Sequence, residues 1–337
     1  MIQCKKNLSQ EVDVQVLSLF CGAGGLDLGF KSEGYNIRLA IDNSVAAIAT
    51  HMHNFPKSVA IQADIIELGK DGLLELCEKY LKKNEPLGII GGPPCQGFSR
   101  SNIKSEINDP RNKLALIYIE LIGELKKIYD VNFIVFENVL GIKDKKHIKT
   151  YNDIIQNLEE INFKVSSFVL NARDFGVAQD RKRVIIIALK GKTQGNISFK
   201  DTISKLKTVK DVIYGLPEPT YFRRNIDVSD IFHHPNHWTM VPKSQKFKDN
   251  SLMDKKTRSF RVICWDKPSP TVAYGNREIH VHPDKKRRLS IFESMLLQGF
   301  PKNFEIKGNF SQQVTQVSNA VPPPMAKIIA KKIKILD

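Results

Sequence analysis

The residue of this chain best placed to do chemistry is a cysteine. Cys95 sits in GGPPCQGFSR, residues 91–100, directly after the apolar run PLGIIG. A run of that kind reads as a buried strand, which puts Cys95 at the strand's C-terminal edge, where open α/β sheets bind ligands. Two prolines hold the approach in a restricted extended conformation, the rigidity that a nucleophile aimed at its target needs. The ordinary fate of a cysteine is burial as a small apolar group, and a polar Gly/Pro loop fits that fate poorly. Its reactive form is the thiolate, which nearby positive charge favours.

A second cluster lies at FCGAGGLDLGF, residues 20–30. Gly22, Gly24 and Gly25 permit a tight turn whose backbone can approach a ligand without a Cβ in the way. The segment does not match G-x-G-x-x-G, and a glycine-rich strand–helix turn can also serve packing alone. Asp42 follows Gly22 at the end of the next apolar run, where a carboxylate can accept both hydroxyls of a ribose. Asp64, one strand later, could accept from an adenine amino group. Each aspartate has a plainer reading as a helix N-cap. Three such features in order at three strand ends favour a nucleoside-bearing cofactor.

Positioning these residues requires a sheet. The first 190 residues alternate short apolar runs with amphipathic ones, the pattern of a parallel sheet covered by helices. Strands are expected at 14–20, 37–41, 86–91, 131–136, 163–170 and 183–189, with a weaker one at 58–63. Helices are expected near 26–34, 44–54, 70–83, 113–128 and 151–161. The run LALIYIELIGELKK keeps apolar residues at helical spacing. After Leu189 the chain is richer in Lys, Arg, His, Pro and aromatics and loses its periodicity. A helical pattern returns over 285–300. The segment NAVPPPMAKIIAKKIKIL predicts a last helix, begun at the prolines, with an apolar face that docks back on the first part.

Composition sets outer bounds. The 337 residues suit about two domains, and no run approaches the roughly 18 apolar residues of a membrane helix. The first residues lack the apolar core of a signal peptide. Cys4, Cys21, Cys77, Cys95 and Cys264 form no C-x-x-C pair, so neither a disulfide framework nor a structural zinc site is indicated. A reducing compartment follows as the expectation. Lys and Arg number 51 against 36 acidic residues, a formal charge of +15. That surplus attracts polyanions, although a genome-wide lysine bias produces the same balance.

FCGAGG followed by PPCQGFS resembles the first and fourth conserved motifs of the DNA cytosine-C5 methyltransferases, and four more follow in that family's order. These are ENV at Glu137–Val139, QDRKR at Gln179–Arg183, RRLSIFESMLLQGFP at 287–301 and QVSNAVPPPMA at 316–326. The likeness spans nearly the whole chain except about 190–260. One departure is Ser318, where the family usually has glycine before Asn319.

The resemblance implies a Rossmann-like, S-adenosylmethionine-dependent α/β catalytic domain (1–190 plus about 315–337) and a smaller, irregular target-recognition domain (about 191–314). It implies methyl transfer to C5 of a cytosine in double-stranded DNA. Cys95 would add to C6 of the ring, because cytosine C5 by itself is too weak a nucleophile. Glu137 would face ring N3 and share a proton there, which needs a raised pKa; its plainer reading is a surface ion-pair partner. Arg181 and Arg183 would hold the base oxygen and neighbouring phosphate or carboxylate groups, or else mark a solvated strand edge.

Cofactor contacts are implied at Phe20, Gly22, Gly24, Leu26, Asp42, Asp64, Pro94 and Asn319, and no metal is expected. The target base must leave the duplex, and the polar run after Cys95 resembles the family's loop that closes over DNA. DNA contacts are expected at Gln96, Ser99, Arg100, Arg223, Arg224 and Thr271, with Asn276 nearby. The stretches YFRRN (221–225), HHPNHW (233–238) and PKSQKFKDN (242–250) mix basic and aromatic residues suited to phosphate and guanine contacts. The histidines show no persuasive metal-ligand spacing.

Rival readings are a tRNA methyltransferase of the same family, a noncatalytic DNA-binding regulator on the same scaffold, and an NAD-dependent oxidoreductase. The first typically has PPCQPFT and a Cys-Phe-Thr tripeptide, the second usually loses the nucleophile or cofactor motif, and the third leaves PPCQ, ENV and QDRKR unexplained. The compact length suits a prokaryotic or phage enzyme, expected in the cytoplasm near the nucleoid, and the resemblance implies that it works as a monomer. It would be the protective half of a restriction–modification pair, with an endonuclease as genetic partner.

Overall fold

The computed structural model describes residues 14–93, 114–191, 197–247, 260–271 and 280–334. Seven strands form one sheet: β1 (Gln15–Leu19), β2 (Asn36–Asp42), β3 (Val59–Gln62), β4 (Leu87–Gly91), β5 (Val131–Asn138), β6 (Phe163–Asn171) and β7 (Lys182–Lys190). Their order is 3-2-1-4-5-7-6. All the pairs among β1–β5 are parallel. The expectation of a wholly parallel sheet fails at β7, which runs antiparallel to both β5 and β6. The connection 172–181 is too short for the crossover that a parallel return needs, whereas an antiparallel return needs none.

Continuous apolar runs bury the central strands β1, β4, β5 and β7 on both faces, whereas the edge strands β3 and β6 are partly exposed. Leu17, Leu19, Ile134, Phe136 and Ile186 face α3 (Ile65–Tyr80), α4 (Leu114–Ile128) and α5 (Ile148–Glu160) in one core. Their strand neighbours Val16, Phe133, Val135, Ile185 and Ile187 point the other way, as the two-residue period dictates. They meet α1 (Gly25–Ser32) and the last helix, α9 (Pro323–Lys334). So the proline-started helix does dock on the sheet, through Met325, Ala326, Ile329, Ala330 and Ile333.

Its approach to α1 depends on glycine. A Cβ on Gly29 would lie 2.3 Å from the Ala326 Cβ, and one on Gly25 would lie 2.2 Å from the Val321 carbonyl oxygen. Gly29→Ala is expected to cost about 1–3 kcal/mol through overpacking, measured as a lowered midpoint in denaturant unfolding.

Two helices differ from their sequence-based bounds. α3 begins at Ile65, capped by Asp64, and is broken at Gly69 (φ 60°), so the expected helix from residue 70 is its second piece. The expected helix over 285–300 is only α7, Ile291–Leu297. Ser290 and Glu293 form a capping box there, the Glu293 N–H donating to Ser290 Oγ and the Ser290 N–H to the Glu293 carboxylate. Arg287 pairs with both Glu293 oxygens at 2.9 Å, which holds the preceding residues outside the helix.

A second core gathers Trp238, Ile263, Phe292, Met295, Phe300 and Phe304 with Phe310, Val314 and Val317 of α8 (Phe310–Asn319). It also takes in Ala23, Phe55 and Ala178 from the first part of the chain. Short pieces such as α6 (Lys210–Ile213) complete this region. Its lack of periodicity in sequence matches the two-residue strands it contains, such as Trp238–Thr239 and Arg261–Val262.

Candidate active site

A cavity of about 390 Å³ opens at the C-terminal ends of β1, β2, β4 and β5. β1 lies between β2 and β4, so chain connections leave it in opposite directions and a crevice is left at that edge. Phe20, Gly22, Leu26, Asp42, Glu137, Arg183 and Asn319 all line it. Phe20, Gly22 and Leu26 come from one segment, and Asp42, Glu137, Arg183 and Asn319 are brought to it from elsewhere in the sequence by the strand ends and by the α8–α9 turn.

At one end the chain turns through left-handed backbone at Phe20 (φ 56°), Gly22 (φ 53°) and Gly24 (φ 75°). A left-handed phenylalanine is uncommon and strained, a pattern that concentrates at functional sites. A Cβ on Gly22 would meet nothing within 4 Å, so this turn presents open backbone to the cavity. Gly24 is different: it does not line the cavity but faces inward, where a Cβ would lie 2.6 Å from the Phe55 ring.

Asp42 clamps this turn. Its Oδ2 accepts from the Gly22 N–H at 2.9 Å and its Oδ1 from the Ser44 N–H at 2.8 Å. Each oxygen keeps a second acceptor position, so hydroxyls of a ribose can still bind. Burial raises the Asp42 carboxyl above its usual pKa, against the two backbone hydrogen bonds. Asp64 does not line the cavity; its carboxylate accepts from the Ile66 N–H at 2.8 Å as an N-cap.

At the other end Glu137 closes β5, 8 % exposed. The Arg183 Nε lies 2.9 Å from its Oε1. Burial pushes the Glu137 carboxyl up, and Arg183 and then Arg181 oppose that shift. A Cβ on Gly92 would come within 2.9 Å of Glu137 Oε2, so a side chain there would displace the carboxylate from its present position. Gly91, Gly92 and Pro93 line the cavity and lead directly into Pro94 and Cys95. Those two, with Gln96, Ser99, Arg100 and the polar run after them, lie outside the described residues, as does Asn276.

Arg181 is 1 % exposed and does not line the cavity. Its Nη2 donates to the Ser318 carbonyl at 2.8 Å, fastening the start of β7 to the α8 terminus that carries Asn319. Because the backbone of Ser318 serves here, the departure from glycine leaves this contact intact. Buried Gln298 strengthens the same joint. It donates to the Val317 and Ala320 carbonyls at 3.0 and 2.6 Å and accepts from Gln179 at 3.3 Å. Sequence reading passed over Gln179 and Gln298, although both lie inside the quoted motifs.

Thr271 is half-buried and donates to the Asp180 carbonyl at 3.4 Å, beside the catalytic-end arginines. The bridge of Ser269–Pro270 to Gln179–Asp180 puts it there. Arg223 and Arg224 are exposed, remote in sequence from every wall of the cavity, and Arg223 reaches Asp230 at 3.7 Å. Histidines of the 233–238 stretch are used structurally: His237 faces Ser290 Oγ and the Pro217 carbonyl, and His234 stacks on Phe292. Among the described residues no cluster of three or more His, Cys, Asp or Glu could hold a metal ion.

The arrangement suits a cofactor with a nucleoside and a charged tail. The open turn at Gly22 and the clamped carboxylate of Asp42 meet the nucleoside requirement, and Asn319 lines the same cavity, two residues before Val321, which packs against Gly25. A reacting group placed between that end and Glu137 would lie beside the segment entering Cys95.

Comparison with known proteins agrees with this geometry. The family model described as C-5 cytosine-specific DNA methylase matches residues 14–335. The chain is 33% identical over 340 residues to Type II methyltransferase M.MthTI of Methanothermobacter thermautotrophicus, covering 96% of this chain and 98% of that protein. It is 34% identical over 348 residues to Type II methyltransferase M.FnuDI of Fusobacterium nucleatum, covering 95% and 94%. A solved structure described as a DNA modification methyltransferase encoded within an E. coli prophage superposes with a TM-score of 0.77. Its identity is 26%, over 96% of this chain and 99% of that one.

Proposed function

This chain belongs to the C-5 cytosine-specific DNA methylase family, and from that premise we propose which of its residues carry the reaction. The chain is a DNA cytosine-C5 methyltransferase, and its family depends on S-adenosylmethionine. The observation that carries the assignment of roles is the single cavity shared by the clamped glycine turn and the buried Glu137–Arg183 pair.

S-adenosylmethionine supplies an electrophilic methyl group on a sulfonium. Gly22, Leu26 and Phe20 would hold it along the glycine turn, Asp42 would accept its ribose hydroxyls, and Asn319 would contact it from the α8–α9 turn. A cofactor contact at Pro94, next to Cys95 in sequence, rests on the family motif alone. Asp64, engaged as an N-cap through Oδ1, retains Oδ2 for an adenine amino group.

Cys95 adds through its sulfur to C6 of a flipped cytosine, and Glu137 donates its proton toward N3 as negative charge builds there. The electron pair at C5 would then attack the methyl carbon the cofactor supplies, and N3 would return its proton to Glu137. A base, water included, removes the C5 proton, and the Cys95–C6 bond breaks to restore the ring. Arg183 holds Glu137 in place and offers its remaining donors to the base oxygen. Arg181, bonded to the Ser318 carbonyl, holds that wall in register.

Residues 191–314 form the target-recognition part, with Arg223, Arg224 and Thr271 toward DNA and Gln96, Ser99 and Arg100 beside the flipped base. The remainder, 1–190 with about 315–337, binds the cofactor and carries the chemistry. The Type II names of its relatives support a protective role beside an endonuclease, in a monomeric prokaryotic or phage enzyme of the cytoplasm. Among the described residues no helix is long and apolar enough to cross a membrane.

Expression in a methylation-deficient bacterial host followed by bisulfite sequencing tests the activity. Protected cytosines should recur in one short DNA motif and be absent from a host carrying empty vector. Folded protein that protects none, yet methylates tRNA, would establish the RNA rival instead.

Asp42→Ala removes both acceptors from the Gly22 and Ser44 amides as well as the ribose partner. Cofactor affinity should fall at least about tenfold, since hydrogen bonds to a charged group contribute roughly 1.5–3 kcal/mol each. Calorimetric titration with S-adenosylhomocysteine reads this directly.

A further inference from the structure

Beneath the glycine turn lie two buried groups to which the roles above give no part. Asp27, in the first turn of α1, and His51, in the last turn of α2 (Val45–Asn54), are both 0 % exposed. His51 Nε2 is 3.3 Å from Asp27 Oδ1, and the imidazole stacks on Phe55 with ring centroids 4.3 Å apart. Gly24 lies directly on this stack, since a Cβ there would come 3.4 Å from His51 as well as 2.6 Å from Phe55. The layer therefore fixes one oxygen of Asp27. The other, Oδ2, is buried without a hydrogen-bond donor among the described residues, in a residue that lines the cavity.

A buried carboxylate oxygen left without a donor is costly, and native structures keep such groups where they have a use. The charge around the cavity shows what a carboxylate placed here would attract. Asp27, Asp42 and Glu137 line it, against the single cation Arg183 among the described lining residues, and Arg183 is committed to Glu137. After burial itself, Asp27 is the main influence raising the Cys21 thiol, and it adds to the raising of Asp42. The α1–α2 end of the cavity thus holds two carboxylates, Asp27 and Asp42, with no cationic side chain among the described lining residues at that end and His51 as the basic group packed beneath, against Asp27.

We propose that Asp27, oriented by His51, selects the cationic sulfonium form of the cofactor over its neutral thioether product. This rests on the cofactor reading given above. When the methyl group passes to C5, the sulfur takes back its bonding electron pair and becomes an uncharged thioether. The attraction of Asp27 for the ligand then falls, and exchange of product for fresh cofactor is favoured. A carboxylate at an N-terminal first turn and a histidine at a C-terminal one also suit the two helix dipoles. That structural role acts on both ligands equally, and the selective one does not.

Calorimetric titration of the full chain with S-adenosylmethionine and with S-adenosylhomocysteine separates them. Asp27→Asn keeps the shape of the side chain and removes its charge. It should weaken S-adenosylmethionine binding roughly tenfold and S-adenosylhomocysteine binding by less than about twofold. Equal weakening of both ligands, or of neither, overturns the proposal. Asp27→Ser serves the same comparison if the amide variant does not fold. Should neither fold, wild-type protein that binds the two cofactors alike overturns it. Failure of wild-type protein to bind either S-adenosylmethionine or S-adenosylhomocysteine would instead remove the cofactor site, and the proposal with it.

Discussion

Cys95→Ser should lower methyl transfer to DNA by roughly 10⁴-fold or more, with cofactor affinity unchanged. A thiol is a few per cent thiolate near neutral pH and is intrinsically nucleophilic, whereas a serine hydroxyl without an adjacent base is almost wholly protonated. Without addition at C6, cytosine C5 has no electron pair able to attack a sulfonium methyl. The substitution adds no bulk, so the variant should still bind S-adenosylhomocysteine and DNA. Tritiated methyl incorporation under single-turnover conditions measures the chemical step, and calorimetry measures the cofactor. Activity retained within about tenfold of wild type would mean that C5 is attacked without prior addition. A duplex carrying fluorine at C5 of the target gives a complementary result. The proton that must leave is absent there, so wild-type protein should accumulate a denaturant-resistant protein–DNA species and Cys95→Ser should not.

Glu137→Gln should reduce the same step by about 10²–10⁴-fold, the usual range for a positioned acid or base. The amide keeps the shape of the side chain but cannot supply a proton to N3, and it loses the ion pair with Arg183 at 2.9 Å. Burial raises the carboxyl, so its protonated form persists to higher pH than that of an ordinary glutamate. If that form is the active one, the rate falls as pH rises through the raised pKa. The glutamine variant should lose this alkaline limb. Arg183 lowers the same pKa, so Arg183→Leu should move the limb to higher pH while also slowing the reaction. A pH–rate profile for kcat tests the three proteins together. A limb that survives unchanged in Glu137→Gln would assign it to another group.

Much of this site is legible in the sequence because its chemistry sits at strand ends, and strand ends are marked locally. An apolar run stopping at Gly-Gly-Pro-Pro, at Glu-Asn-Val or at Asp-Asn needs only its own residues to be read. Their periodicity placed every strand of the large sheet, and the order of the motifs pointed to the family. The position of Cys95 after β4 and of Glu137 at the end of β5 follows from the same pattern.

Other features depend on residues far apart in the chain. The direction of β7 is a matter of how β6 and β7 are joined and paired, since both orientations share one apolar pattern. Asp42 reads as a cofactor ligand, yet its hydrogen bond to Gly22 appears only when two strand ends lie side by side. Arg181 reaches a carbonyl 137 residues away, and Gln298 ties two separate motifs at one turn. Gly29 falls inside the helix expected over 26–34, where nothing local explains a glycine, and it is required by Ala326 across a helix contact. Asp27 is hidden in sequence between two leucines, and only its burial beside His51 makes it conspicuous. Local spacing determined which elements form and which side chains stand at their ends, because backbone periodicity is a property of neighbours along the chain. Which of those side chains share a cavity, and with what charge balance, was decided by packing, because desolvation and ion pairing depend on neighbours in space.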